Sequence, residues 1–329
     1  MDEAPLGKLE ESSISAVQSR LIRLGYDIPE NELSELGPET IRALKAYQEI
    51  HGLPVTCEVD ENTWNELITS AYRLGDRLLY ERQPMFRGDD VAELQHRLNS
   101  LGFDSGREDG IFRAETAQAL RDFQRNMAIS SDGICGPNTV IALARVSTFA
   151  SGSATNIREK LKWQLRKNSD TYRVGICIDP SFTIVGDRLI KELFELGMKV
   201  PLYCEGGDQA DIAAQANENK IDFLFSIAPS FSATGRCVFF SNSRYRSLVG
   251  ASLAGTIQHE LSKVLKSDPD DIVGRMYPLL RSSQMPSVII ELCDTTDISM
   301  IKRVREQSTE IATAIARGID AVVKQSDRI

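Results

Sequence analysis

Three histidines, six cysteines and a few strand-end serines and carboxylates are the side chains of this 329-residue chain best suited to metal or covalent chemistry. Their spacing speaks against most of it. A zinc or disulfide cluster needs thiols or imidazoles at short, paired intervals. Cys57, Cys135, Cys177, Cys204, Cys237 and Cys293 lie far apart with no Cys-x-x-Cys pair. Four of them fall in or at the ends of apolar, strand-like runs, where a free thiol packs as a small hydrophobe. His51, His96 and His259 contain no His-x-x-x-His pair, and Ser181 and Ser226 have no histidine within reach in sequence. Gly206-Gly207-Asp208 lacks phosphate-loop spacing, and Asp208 reads instead as a helix N-cap. Asp179 reads as a cap at a strand end rather than as a metal ligand.

The elements that must position these residues divide the chain in two. Composition (42% hydrophobic, 26% charged, net charge −9) is that of ordinary globular domains, and the length suits two or three of them. No run approaches the length of a membrane-spanning helix. An acidic chain repels phosphates, so a nucleic-acid partner is not expected. Residues 1–70 hold fourteen acidic and five basic side chains and so carry the whole net charge. That surface either keeps the chain soluble or faces a basic partner. The first residues lack the basic and apolar stretches of a secretory signal, so a reducing, cytoplasmic location is expected.

The front half repeats itself. Val17-Gln18, Arg20-Leu21, Leu24-Gly25 and Tyr26 match Leu94-Gln95, Arg97-Leu98, Leu101-Gly102 and Phe103. Glu39-Thr40, Ala43-Leu44 and Tyr47-Gln48 match Glu115-Thr116, Ala119-Leu120 and Phe123-Gln124, and Thr63 and Leu67 match Thr139 and Leu143. Each unit reads as three short helices with one apolar stripe apiece. Gly25 and Gly102 stand where a helix end wants a left-handed residue. Asp109-Gly110 and Asp132-Gly133 supply turns. This pattern resembles the peptidoglycan-binding domain appended to many wall hydrolases. The copy at 86–144 departs from it at Arg113, where the family has Gly. The copy at 13–69 lacks both Asp-Gly turns and keeps the helix signature. The resemblance implies binding of wall glycopeptide in a groove between helices; a bare packing module is the alternative, above all for the first copy. A small-residue tether and a basic helix are expected at 145–172.

From Arg173 onward, short apolar runs alternate with helical periodicity, which predicts an α/β domain at 173–325 with a mostly parallel sheet flanked by helices. Strands are expected at 174–178, 199–204, 223–227, 237–241 and 288–293, and helices at 184–196, 208–217, 248–265 and 298–323. Ligands of such sheets collect at the carboxyl ends of the strands. Ile178-Asp179-Pro180-Ser181-Phe182, Ser226-Ile227-Ala228, Ala216-Asn217, the block 274–280 and Val288-Ile-Ile-Glu291 together resemble the zinc-dependent N-acetylmuramoyl-L-alanine amidase domain.

Carried over position by position, the resemblance puts the first histidine ligand on Phe182 and the second on Ala228. It finds no carboxylate ligand in Thr183–Gly186 and keeps the catalytic carboxylate as Glu291. Zinc amide hydrolysis takes three protein ligands, an open position and a general base for the bound water. With the ligands absent, no metal and no cofactor are expected, although the family implies zinc. Glu291 is then a vestigial catalytic residue, satisfied by a neighbouring Arg or by backbone donors. The domain order is similar to that of actinobacterial amidase-like regulators. It implies a non-catalytic regulator or scaffold of peptidoglycan precursor synthesis, with peptidoglycan or its precursors and proteins of wall synthesis as partners. An N-acetylmuramoyl-L-alanine amidase and a simple muropeptide-binding module are the alternatives.

Overall fold

The computed structural model describes residues 11–146 and 172–326, apart from 31, 32, 34, 231–234 and 243. These residues fall into two compact units, one within Met1–Thr155 and one within Asn156–Ile329. The expected tether and basic helix at 145–172 lie, except at their edges, outside the described residues. No described helix is long and apolar enough to cross a membrane.

The first unit is two successive three-helix repeats: α1 (Glu11–Arg23), α2 (Pro38–His51) and α3 (Glu61–Ser70), then α4 (Asp89–Ser100), α5 (Ala114–Asn126) and α6 (Pro137–Val146). Each repeat buries its own core. One is built on Val17, Leu21, Leu44, Tyr47 and Leu67, the other on Leu94, Leu98, Phe112, Leu120 and Phe123. Gly25 and Gly102 adopt φ of +92° and +93° just past their helices, as the repeat pattern demanded.

The repeated Gln and Thr positions form one device used four times. The Gln95 amide nitrogen donates to the Ile111 carbonyl (3.0 Å) and the Thr116 hydroxyl (3.2 Å), while its oxygen accepts from the Gly110 N–H at 2.9 Å. Gln124 does the same with Ile134, Thr139 and Gly133 at 3.0, 3.1 and 2.9 Å. Gln48 does so with Glu58, Thr63 and Cys57 at 2.8, 3.3 and 3.1 Å. Gln18 donates to Glu35 and Thr40. All four amides are buried, so each fixes one helix, the next turn and the start of the following helix. A buried amide can do this only where every group is paired. The first copy therefore keeps more than its helix signature. Thr56-Cys57 takes over an Asp-Gly turn: the Thr56 hydroxyl accepts from the Glu58 N–H at 3.2 Å, and Cys57 holds the left-handed conformation at φ +59°. Arg113, the departure from the family pattern, is bound to the buried turn residue Asp109 at 2.6 Å.

The second unit runs β1 (Arg173–Ile178), a 3-10 turn (Pro180–Phe182), α7 (Thr183–Glu195), β2 (Lys199–Glu205), α8 (Gln209–Glu218) and β3 (Phe223–Ala228). It continues with β4 (Arg236–Phe240), α9 (Leu248–Leu265), β5 (Ile272–Arg275), α10 (Pro278–Ser282), β6 (Ser287–Glu291), α11 (Ile298–Glu306) and α12 (Ser308–Ser326). The six strands lie in the order β2-β1-β3-β6-β4-β5. β2, β1, β3 and β6 are mutually parallel, and β4 runs antiparallel to β6 with β5 parallel to it. β6 is buried along its whole length and β3 along most of it, as central strands covered on both faces must be. One face packs Val174, Phe225, Ile290 and their neighbours on α7, α9 and α12. The other packs Leu224, Val238 and Ile289 on α8 and α10. Close approach is built in at Gly318 on α12, where a Cβ would stand 2.5 Å from the Ile257 Cα of α9.

Two expectations are corrected here. β5 was not foreseen; it is a four-residue strand paired only to β4, with a glycine in it and no fully buried position, so it carries no apolar run of its own. The single helix expected over 298–323 is two. The chain breaks at Gln307, whose N–H caps α11 on the Arg303 carbonyl while its own carbonyl starts the next helix through Ile311.

Candidate functional site

Glu291 is the last residue of β6, at the carboxyl edge of the sheet, where α/β folds collect ligands. Its register neighbours are Ala228, the last residue of β3, on one side and Arg236, the first residue of β4, on the other. It shares the face of Ile289, since side chains alternate along a strand. On that face Ala228 and Met276 pack at the margin of the core and Tyr277 lies within it.

The carboxylate is 2% exposed, and both its oxygens are taken. Arg236 Nε donates to Oε2 at 2.6 Å and the Tyr277 hydroxyl donates to Oε1 at 3.1 Å. Burial pulls the Arg236 guanidinium down, but the charge and hydrogen bond of Glu291 outweigh it, and the group ends above its ordinary value. Burial, then the negative charge of Glu291, pushes the Tyr277 hydroxyl up to about 12. Arg236 can take this role because β4 runs antiparallel, which sets its first residue beside the last of β6. The carboxylate is thus held as a paired anion, with a phenol kept neutral beside it. Either an arginine or backbone donors were expected beside it; Arg236 in particular, and the tyrosine, were not foreseen. An arginine opening an apolar strand (Arg236-Cys-Val-Phe-Phe) was the available signal.

The positions implied as degenerate ligands do not converge on this carboxylate. Ala228 lies beside it but ends in a methyl group. Phe182 is buried in the opposite layer, among Ile178, Val185 and Leu189. Thr183–Gly186 forms the first turn of α7 and holds no carboxylate. Asp179 caps the 3-10 turn, accepting from the Ser181 N–H at 2.9 Å, and Asp208 caps α8 on Ala210 and Asp211. His51 and His96 pair with Glu66 and Glu108 inside the helical repeats, and His259 is exposed on α9. Among the described residues no three His, Cys, Asp or Glu side chains gather into a metal-holding group. Among the described residues, the donor set at the strand ends does not fit a zinc ion.

Comparison with known proteins agrees with this architecture. A model for a putative peptidoglycan binding domain matches residues 10–67 and 87–143, and a model for N-acetylmuramoyl-L-alanine amidase matches 182–321. The N-acetylmuramoyl-L-alanine amidase CwlM of Mycobacterium tuberculosis is 33% identical over 323 residues, covering 86% of this chain and 77% of that protein. The chain belongs to the N-acetylmuramoyl-L-alanine amidase family. The spore cortex-lytic enzyme of Oceanobacillus iheyensis is 37% identical over 81 residues, 25% of this chain and 28% of that one. Among solved structures, an N-acetylmuramoyl-L-alanine amidase from Clostridium difficile covers 47% of this chain and 98% of its own at TM-score 0.40 and 18% identity. AmiC2 of Nostoc punctiforme gives 0.39 at 16% identity, covering 46% and 97%. As a member of this family with peptidoglycan-binding repeats, the protein is peptidoglycan-related and amidase-like.

Proposed function

We propose that this chain is a non-catalytic regulator or scaffold of peptidoglycan precursor synthesis, acting in the cytoplasm. In this reading the repeats bind peptidoglycan or its precursors, and the amidase-like domain serves as a docking surface for proteins of wall synthesis. One observation carries it: the carboxylate that the resemblance makes catalytic is buried and engaged by Arg236 and Tyr277, with Ala228 beside it and Phe182 buried in the opposite layer. A general base must reach the water it activates, and a carboxylate only 2% exposed and held by two donors is shielded from it; a metal-activated water needs ligands that these side chains do not supply.

The test uses the full chain, supplied with zinc and purified muropeptide. The expected result is muropeptide binding with no release of stem peptide bearing a new L-alanine amino terminus. Added to reconstituted precursor synthesis, the chain is expected to change its rate. Stem-peptide release that disappears in Glu291→Gln overturns the proposal in favour of an amidase, the reading suggested by the name of the Mycobacterium relative. Binding with neither hydrolysis nor an effect on synthesis reduces the protein to a simple muropeptide-binding module.

A further inference from the structure

Cys177 and Cys204 are register partners on the parallel strands β1 and β2, so their side chains leave the sheet on the same face. Cys177 is buried in the cluster that includes Leu202, Ile212 and Leu224, and Cys204 packs half-buried against that same cluster on the edge strand. Each thiol donates weakly to a backbone carbonyl, Cys177 to Gly206 at 3.9 Å and Cys204 to Ile176 at 3.8 Å. Paired strands stand about 4.8 Å apart, inside the Cα separation of roughly 4.4–6.8 Å that a disulfide spans. Neither residue takes part in the Glu291 site.

We propose that Cys177 and Cys204 form a peroxide-responsive site, in which half-buried Cys204 is the attacking thiol and buried Cys177 the resolving one. The asymmetry of the pair supports this order. The interaction between the two thiols favours ionised Cys204 and lowers it below an ordinary thiol, whereas Cys177 is raised, first by that interaction and then by burial. The thiolate is the nucleophile, and accessibility decides which sulfur meets the oxidant. Burial first, and then nearby carboxylates, push the other thiols up, Cys135 to about 12 and Cys293 to about 11.

The chemistry balances with hydrogen peroxide as oxidant. The Cys204 thiolate forms an S–O bond as the O–O bond breaks, and the departing hydroxide takes up a proton as water. The sulfur is oxidised by two electrons to a sulfenic acid. Cys177 then forms the S–S bond, the S–OH bond breaks, and the second hydroxide leaves as water with the Cys177 proton. Two thiols and one peroxide become one disulfide and two waters. Closure draws edge strand β2 towards β1 next to the turn Gly206-Gly207, whose residues sit at φ +66° and +112°, so the backbone that must adjust already ends in a glycine turn.

The experiment treats the full chain with near-stoichiometric hydrogen peroxide and maps it by mass spectrometry without reduction. The expected result is loss of two hydrogens, a peptide linking Cys177 to Cys204, and oxidation of Cys204 roughly tenfold faster than half-buried Cys57. In Cys177→Ala the reaction should stop at Cys204 sulfenic acid, trapped by dimedone. If that variant does not fold, the wild-type map decides alone. Oxidation of Cys204 no faster than that of Cys57, passage of Cys204 to sulfinic acid with no linked peptide, or links only between molecules would each overturn the proposal.

Discussion

If Glu291 is held as a structural anion, its removal and that of Arg236 must be coupled in stability. Arg236→Met leaves a carboxylate that is 2% exposed with only the Tyr277 hydroxyl for company. Breaking a buried pair in this way costs about 3–5 kcal/mol. Arg236 keeps 20% of its side chain exposed, so partial hydration of the site favours the lower end, about 3 kcal/mol. Glu291→Met costs less, about 1–2 kcal/mol, because the guanidinium can turn to water and the main loss is the acceptor of Tyr277. The double variant removes both charges and restores apolar volume, which is nearly neutral in comparable pairs. A coupling energy of about 4–5 kcal/mol follows, above the range of about 0.5–3 kcal/mol usual for residues in contact. Native-state hydrogen exchange of the β6 peptide in the full chain reads the opening free energy of this unit directly. Coupling below about 0.5 kcal/mol, or a rise in stability in either single variant, would refute the structural role and return Glu291 to the catalytic candidates.

Further outcomes follow from the same geometry. Gln95→Leu should destabilise the second repeat by about 3 kcal/mol in urea denaturation, because it strands the buried Gly110 N–H and Ile111 carbonyl together. Cys57→Gly should raise the melting temperature of the first repeat, since it relieves about 1 kcal/mol of left-handed strain and gives part of it back as chain entropy; an unchanged or lower melting temperature would show that the turn is not strained. Gly318→Ala should cost about 1–3 kcal/mol by driving a methyl group into the backbone of α9 at Ile257. Tyr277 is raised from 10.0 to about 12, so its contribution to stability is complete below pH 10 and is lost as pH rises towards 12. Tyr277→Phe should flatten that alkaline limb of the denaturation profile and remove one of the late-titrating tyrosines, which include Tyr203 and Tyr26, from the tyrosinate absorbance curve.

Elements whose identity rests on local pattern were legible in the sequence. The helical repeats announced themselves because the core positions of their helices recur, and β1, β3 and β6 because a strand covered on both faces must be a continuous apolar run. α9 was legible to the residue, bounded by Ser247, whose hydroxyl caps it on Gly250, and by left-handed Lys266. What stayed hidden depends on long-range partners. β5 exists by pairing with β4, and the break at Gln307 is one residue of capping inside an unbroken apolar stripe. Thr56-Cys57 shares no residue with Asp-Gly, yet it makes the same turn because Gln48 reaches over to hold it.

The site shows the same division with more consequence. The sequence singled out Glu291 through its resemblance, and expected an arginine or backbone donors to satisfy it without being able to choose among the many arginines present. The choice is made by an antiparallel register, which sets Arg236 opposite Glu291. That pairing explains how a charge can persist in a buried strand end without a metal ligand set around it. An isolated carboxylate there would cost several kcal/mol, so a chain keeping Glu291 without zinc donors must supply another cation, and Arg236 with Tyr277 fills that need. The two partners take one acceptor site on each oxygen, and burial shields the others from water. On the non-catalytic reading proposed above, a zinc site built by design would need more than histidines at 182 and 228. The Phe182 ring points into the opposite layer, so Phe182→His with Ala228→His should still fail to bind zinc in a competition assay against a chromogenic chelator. Tight binding by that double variant would mean that the strand-end loops rearrange far more easily than their packing implies.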